Sequence, residues 1–249
     1  MFATSRGFRI RYEVFGDGPA VALLHGFPMW GDRWTDTGYV AELESRYQVI
    51  VPDLIGHGQS DKPHEPGAYG SVNMAADVLA VLDAAGVNRA HVWGYSMGAT
   101  VAEKMAMSAP RRVLSLVLGG FPPGLDQEQW RADRGSERPQ TWDDLLGGWP
   151  PPVYEMFRSH NHDLEALLAC EAMIGKYPTT LADLRSAPHP TLAYCGADDD
   201  RVDLARLQCD ALPCRLEIVP GEHALAFRQA ENILPLAIKH FEASGTATG

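Results

Sequence analysis

Several features that mark large classes of proteins are missing from this sequence. Its 249 residues include four cysteines, Cys170, Cys195, Cys209 and Cys214, which are too few for a disulfide scaffold and lack the spacing of a metal site. No apolar stretch approaches the length of a membrane span, and residues 1–6 lack the apolar core of a signal peptide. We therefore expect a reduced, soluble, cytoplasmic protein that needs no metal or cofactor and does not bind membranes.

The chain also lacks clusters of basic residues. Its 21 Lys and Arg are outnumbered by 32 Asp and Glu, which gives a formal net charge of −11, and the acidic residues are dispersed. Because neutralising phosphates requires clustered Lys and Arg, this balance argues against nucleic acid and anionic membranes as partners. We interpret the acidic surface as a source of solubility and expect the partner to be a small-molecule substrate.

Short apolar runs predict the strands of a buried sheet. Residues 9–15 alternate in the two-residue period of a half-exposed strand. Ala20–Leu24 is instead a continuous apolar run, as expected for a strand buried on both faces of a parallel sheet. Similar runs follow at residues 47–51, 90–93, 114–118, 191–195 and 216–219.

Helical segments separate these runs. Apolar residues recur at spacings of three and four in Val72–Ala85. Residues 101–109 and 225–241 are predicted to be further helices, the last bent or interrupted at Pro235. The alternation predicts an α/β fold with one open, mostly parallel sheet and helices on both faces. Ligands of such sheets bind at the carboxyl ends of the strands.

The alternation stops between residues 121 and 188. This stretch is rich in Pro and Trp, contains no clear apolar strand, and has two helical segments at residues 163–176 and 179–186. We predict that residues 121–188 form an all-helical insertion, a cap or lid over the strand ends, and that residues 1–120 and 189–249 form the core. The alternative is a long helical crossover with no role in substrate binding.

One pentapeptide predicts a nucleophile. Gly94-Tyr95-Ser96-Met97-Gly98 lies between an apolar strand and a segment of small helical residues. A serine on such a strand–turn–helix junction has a strained backbone and an exposed hydroxyl. Glycines on either side of it allow the helix to fold back across the strand without side-chain collisions.

Serine needs a base, which is normally a histidine oriented by a carboxylate. His223 follows the strand run at residues 216–219, and Asp198, Asp199 and Asp200 follow the run at residues 191–195. Both loops begin where a buried strand ends, at the edge of the sheet where Ser96 is expected. From their position alone, any of the three aspartates could face the histidine.

The reaction also needs donors for an oxyanion. The segment His25-Gly26-Phe27-Pro28 follows the first buried run. A loop there can bring the backbone N–H of Phe27 beside that of Met97, which makes a site with two donors. We expect His25 to brace this loop through hydrogen bonds.

Together these residues resemble the α/β-hydrolase family, specifically its serine-nucleophile esterases and perhydrolases with a helical cap. The matching motifs, spread from about Arg9 to Phe241, are His25-Gly26-Phe27-Pro28, Asp53-x-x-Gly56-His57-Gly58-x-Ser60, Gly94-x-Ser96-x-Gly98, Gly196-x-x-Asp199 and Gly221-x-His223. The resemblance implies an eight-stranded sheet and the triad Ser96, Asp199 and His223. Glu222 departs from the family pattern, which usually has glycine there. A carboxylate at this position can favour the protonated form of the base or shape the pocket, and it leaves the triad intact.

The residue at the nucleophile position separates the activities of this family. Haloalkane dehalogenases and soluble epoxide hydrolases resemble residues 25–34, but they attack with aspartate, whereas this chain has Ser96. The resemblance implies hydrolysis of an ester, thioester or lactone through an acyl-enzyme. Cofactor-free perhydrolases and C–C bond hydrolases remain open, as does a non-hydrolytic ligand receptor or biosynthetic lyase or cyclase.

Aromatic side chains in the insertion predict a largely apolar pocket for the acyl or alcohol group of the substrate. About half of them are expected to pack the insertion onto the core instead. The residues assigned to the pocket are His25, Tyr95, Trp130, Trp149, Met156 and Phe157.

Overall fold

The computed structural model describes residues 1–133, 137–146, 151–176, 178–186 and 189–245. Eight strands in these ranges form one sheet. They are β1 (Phe2–Ser5), β2 (Phe8–Phe15), β3 (Ala20–Leu24), β4 (Gln48–Pro52), β5 (Ala90–Tyr95), β6 (Val113–Gly119), β7 (Thr191–Gly196) and β8 (Cys214–Val219). The helices are α1 (Asp32–Asp36), α2 (Tyr39–Leu43), α3 (Ser71–Ala84), α4 (Met97–Ser108), α5 (Gln127–Asp133), α6 (Trp142–Leu146), α7 (Pro151–Ser159), α8 (Leu164–Glu171), α9 (Leu181–Ser186), α10 (Val202–Asp210), α11 (His223–Ala226) and α12 (Ala230–Gly245).

The predicted sheet is confirmed as open and mostly parallel. Its strand order is β1-β2-β4-β3-β5-β6-β7-β8, in which β1 and β2 are antiparallel to their neighbours and β3 to β8 run parallel. Strand β1 was not predicted, because four residues are too few to show a period. It pairs with β2 through a tight turn at Arg6 and Gly7, where both φ angles are positive.

Helices cover both faces of the sheet, which explains the continuous apolar runs. In β3, Ala22 and Leu24 pack with α3 and α4 on one face, whereas Val21 and Leu23 pack with α2 and α12 on the other. Because successive side chains of a strand point to opposite faces, a strand between two helical layers must be apolar at every position.

The C-terminal helical segment differs from its prediction. The chain forms α11 and α12 with a break at residues 227–229, and α12 continues through Pro235. Proline removes one backbone hydrogen bond from a helix. Burial of Ile233, Leu234 and Phe241 against the sheet offsets that loss.

The described residues between β6 and β7 form five helices, α5 to α9, joined by loops, and they contain no strand. The first predicted helix of this stretch is shorter than expected, since α8 ends at Glu171 and a turn follows. Leu146 of α6 and Phe157 of α7 form a small apolar cluster with Trp30 of the core. In the described part of the chain, no helix is long and apolar enough to cross a membrane.

Candidate active site

Four loops meet at one edge of the sheet. Ser96 follows β5, Asp199 follows β7, His223 follows β8, and Phe27 follows β3. These strands are parallel, so their carboxyl ends, and the side chains just beyond them, lie at the same edge.

Ser96 has a strained backbone. Its φ of 53° and ψ of −114° lie outside the regions that residues with a side chain ordinarily adopt. The flanking glycines explain how the chain reaches this geometry. A Cβ atom at Gly94 would overlap the carbonyl oxygen of Gly98, and one at Gly98 would overlap that of Leu24 in β3. The Gly-x-Ser-x-Gly spacing is therefore a packing requirement of the strand–turn–helix junction.

We expect Gly98→Ala to destabilise the protein by about 1–3 kcal/mol, the range for overpacking a tight interior. The added methyl group would have to displace backbone in β3, which cannot give way as a flexible side chain can. The measurement is the free energy of unfolding in urea. Gly67→Ala is the control, because a Cβ atom there meets nothing within 4 Å. Equal unfolding free energies for the two variants would contradict this account.

The three side chains of the predicted triad lie in hydrogen-bond contact. Nε2 of His223 is 3.0 Å from Oγ of Ser96, and Nδ1 of His223 is 2.8 Å from Oδ2 of Asp199. In the neutral imidazole with its proton on Nδ1, the ring donates to Asp199 and accepts from the hydroxyl of Ser96. This is the order of contacts that activates a serine.

The structure distinguishes Asp199 from its neighbours. Its side chain is fully buried, whereas Asp198 and Asp200 are exposed. The backbone N–H and guanidinium of Arg201 donate to Oδ1 of Asp199 at 3.0 and 3.1 Å. Burial favours the neutral carboxyl, but the hydrogen bonds and charges of His223 and Arg201 outweigh it and hold the pKa of Asp199 well below its usual range.

The loop after β3 packs directly against the serine. A Cβ atom at Gly26 would lie 3.1 Å from Cβ of Ser96, so the residue that precedes Phe27 packs against the serine. Met97 is the first residue of α4, where backbone N–H groups have no acceptor within the helix. Met97 directly follows Ser96, and Phe27 follows the glycine that packs against it; their role as donors stays a prediction.

His25 is completely buried and holds this loop by two hydrogen bonds. Its Nε2 accepts from the backbone N–H of Leu54 at 2.9 Å, and its Nδ1 lies 3.0 Å from the carbonyl oxygen of Gly26. Burial lowers the pKa of His25 to about 4, so the ring is neutral at physiological pH and binds backbone groups without carrying charge.

Two side chains form hydrogen bonds with the backbone at and just after His223. The hydroxyl of buried Tyr95 donates to the carbonyl oxygen of His223. The carboxylate of Glu222 accepts from the backbone N–H of Ala224 at 2.9 Å. Glu222 therefore caps the first turn of α11, which begins at His223.

The predicted pocket residues of the insertion occupy different places. Phe157 is buried, and its ring packs edge-on against that of Trp30 at 5.7 Å; Met156 packs against the same cluster. Trp130 lies over the guanidinium of Arg201, with Cζ 4.3 Å from the ring centre. Trp149 lies outside the described residues.

Sequence reasoning missed two ionisable residues, Arg201 and Glu103. Arg201 follows Asp199 by two positions in a run of charged residues and gave no distinct signal. Glu103 lies on α4 and is buried, with the backbone N–H of Gly124 donating to it at 2.9 Å. Burial raises the pKa of Glu103 to about 8, so this carboxyl is mostly protonated at neutral pH. Glu103 and Met97 line a narrow cavity with room for about one water molecule.

Among the described residues, no group of three or more His, Cys, Asp or Glu could hold a metal ion. His160 and His162, which resemble a ligand pair in sequence, pack on aromatic rings instead. His160 stacks on Trp30 with ring centres 3.6 Å apart, and His162 contacts Trp30 at 5.4 Å.

Comparison with known proteins identifies relatives of this chain. Residues 19–162, more than half of the chain, match a family model described as alpha/beta hydrolase fold. The chain is 36% identical over 168 residues to the dihydrolipoyllysine-residue acetyltransferase component of the acetoin cleaving system of Cupriavidus necator, an alignment covering 58% of this chain and 44% of that protein. The chain spans less than half of the length of the curated relatives it matches.

Solved structures match over nearly the full length of the chain. A hydrolase from Pseudomonas aeruginosa superposes with a TM-score of 0.76 and 28% identity, covering 100% of this chain and 98% of that one. An enol-lactonase from Burkholderia xenovorans superposes with a TM-score of 0.80 and 22% identity, covering 97% and 100%.

Proposed function

The chain belongs to the alpha/beta hydrolase family, and on that premise we propose that it is a serine hydrolase that cleaves a carboxylic ester, thioester or lactone through an acyl-enzyme. The observation that carries the proposal is the continuous line of contacts from Oγ of Ser96 through the ring of His223 to Oδ2 of Asp199. The strained φ of Ser96 supports it, because strain of this kind concentrates at functional sites.

In the first step, Nε2 of His223 takes the proton of Ser96 as Oγ attacks the substrate carbonyl carbon. The imidazolium that forms is stabilised by the carboxylate of Asp199, which stays ionised because its pKa is held low. The backbone N–H groups of Phe27 and Met97 donate to the oxyanion, and the positive end of the α4 dipole favours the same charge.

The tetrahedral intermediate collapses when the bond to the leaving group breaks. His223 returns its proton to the leaving alcohol, thiol or ring oxygen, and the acyl group stays on Ser96. A water molecule, deprotonated by the same histidine, then attacks the ester carbonyl and releases the acid. Every proton in the cycle passes through one nitrogen atom, Nε2 of His223.

Residues 121–188 are proposed to act as the cap over this site. Contacts of three kinds support that role: Trp130 with Arg201, Phe157 with Trp30, and Sγ of Cys170 with Sδ of Met97 at 3.8 Å. Because these side chains are mostly apolar, the proposed substrate is a small and largely apolar molecule.

The direct test is intact-mass spectrometry after a short incubation with p-nitrophenyl acetate or butyrate, together with the rate of p-nitrophenolate release. A transient acyl adduct that maps to Ser96, with steady turnover, is the expected result. Neither adduct nor turnover in a folded protein would contradict simple ester hydrolysis and favour a ligand receptor, a lyase or a cyclase.

A further inference from the structure

Asp199 has two carboxylate oxygens, and only Oδ2 meets the proposed base. Oδ1 accepts from the backbone N–H of Arg201 at 3.0 Å and from Nη1 of its guanidinium at 3.1 Å. We propose that Arg201 is a positioning residue for the acid–base pair, and that Trp130 of the insertion holds Arg201 in place. This inference rests on the proposed function.

Burial separates this ion pair from an ordinary surface salt bridge. The side chain of Asp199 is fully buried and that of Arg201 is 15% exposed. Exposed pairs contribute little because water and salt screen them, whereas removing one partner of a mostly desolvated pair leaves an uncompensated buried charge. The same Nη1 also lies 3.1 Å from Oδ1 of exposed Asp200, so the guanidinium joins the buried acid to the surface.

Trp130 restrains the guanidinium from the side of the insertion. Cζ of Arg201 lies 4.3 Å from the centre of the Trp130 ring, within the range of a cation–π interaction, which strengthens as water is excluded. Trp130 belongs to α5, between β6 and β7, whereas Arg201 precedes α10. The stacking therefore links the position of the insertion to the carboxylate that orients the base.

Besides orienting Asp199, Arg201 should affect the reaction through its positive charge. A cation held against Asp199 offsets the negative potential that this carboxylate exerts on His223. Without that cation, protonation of the base becomes more favourable. As the pH falls, activity should therefore be lost at a higher pH than in wild type. In addition, a carboxylate that is free to rotate aligns the imidazole less well.

Four variants test the proposal: Arg201→Gln, Arg201→Lys, Trp130→Leu and Arg206→Gln. We expect Arg201→Gln to lower kcat about tenfold and to move the acid limb of kcat/KM upward by about 0.5 pH units. Arg201→Lys keeps the positive charge, so its acid limb should lie close to that of wild type, whereas its kcat should remain below the wild-type value. Trp130→Leu should lower kcat and raise the pH of the acid limb, as Arg201→Gln does, but by smaller amounts. Arg206→Gln is the control, since it removes the same charge from an exposed pair with Asp203.

Matching pH profiles and kcat values for Arg201→Gln and Arg206→Gln would overturn the proposal, leaving Arg201 as a surface partner of Asp200. If Arg201→Gln does not fold, Arg201→Lys and Trp130→Leu decide: wild-type kcat values for both variants, with a wild-type pH profile for Trp130→Leu, would overturn the proposal. The titration of the His223 ring is also followed by NMR. NMR needs no turnover, so it tests the role of Arg201 even if Ser96 is not acylated. A lack of acylation would refute only the proposed hydrolysis.

Discussion

Ser96→Ala is expected to lower turnover of p-nitrophenyl butyrate at least about 10³-fold and to abolish the acyl adduct. The methyl group cannot attack a carbonyl, and the proposed oxyanion donors at Phe27 and Met97 can only polarise the substrate for attack by water. The loss should appear in kcat more than in KM, because the hydroxyl contributes to the transition state and little to binding. Steady-state kinetics and intact mass measure the two effects.

The fold of this variant should survive the change. Alanine at position 96 retains the positive φ of 53° and loses only the hydrogen bond to His223, so the free energy of unfolding should change by about 1 kcal/mol or less. Thermal unfolding is the control for that expectation. Substantial turnover in a folded Ser96→Ala protein would refute the acyl-enzyme mechanism and require direct attack by water.

Much of the sheet could be predicted from sequence because burial on two faces leaves a local signature. Ala20–Leu24 is apolar at every position and forms β3 over the same residues. Strand β1 has no comparable run, since it lies at the edge of the sheet and pairs with β2 alone. The break between α11 and α12 was equally hidden, because Pro235 is the stronger local signal and yet lies inside α12.

The residues of the candidate site were predictable where the backbone demands a pattern. Gly94 and Gly98 surround Ser96 because backbone atoms occupy the space of a Cβ atom at both positions. Arg201 carries no such signature. The role inferred for Arg201 depends on its contact with Trp130, which lies far from it in the sequence. Patterns in a single sequence do not reveal contacts between such distant residues.

Asp199→Asn is expected to lower kcat by about 10³–10⁴-fold, as removing the acid of such a triad does. Asparagine fits the same space, but its amide can donate to Nδ1 of His223 and thereby place the imidazole proton on Nε2. That tautomer cannot accept the proton of Ser96. The imidazolium formed during attack also loses its counter-charge, and Arg201 loses its buried anion.

Asp198→Asn supplies the matched control, since it makes the same chemical change one residue away at an exposed position. We expect its kcat to stay within about twofold of wild type, because a screened surface charge contributes little to the transition state. The two variants differ by one position in the loop after β7, so the ratio of their kcat values separates the contribution of the buried carboxylate, whose Oδ2 lies 2.8 Å from Nδ1 of His223, from that of a surface charge. A larger loss in Asp198→Asn would assign the acid to Asp198, which requires the loop to adopt another conformation when substrate binds.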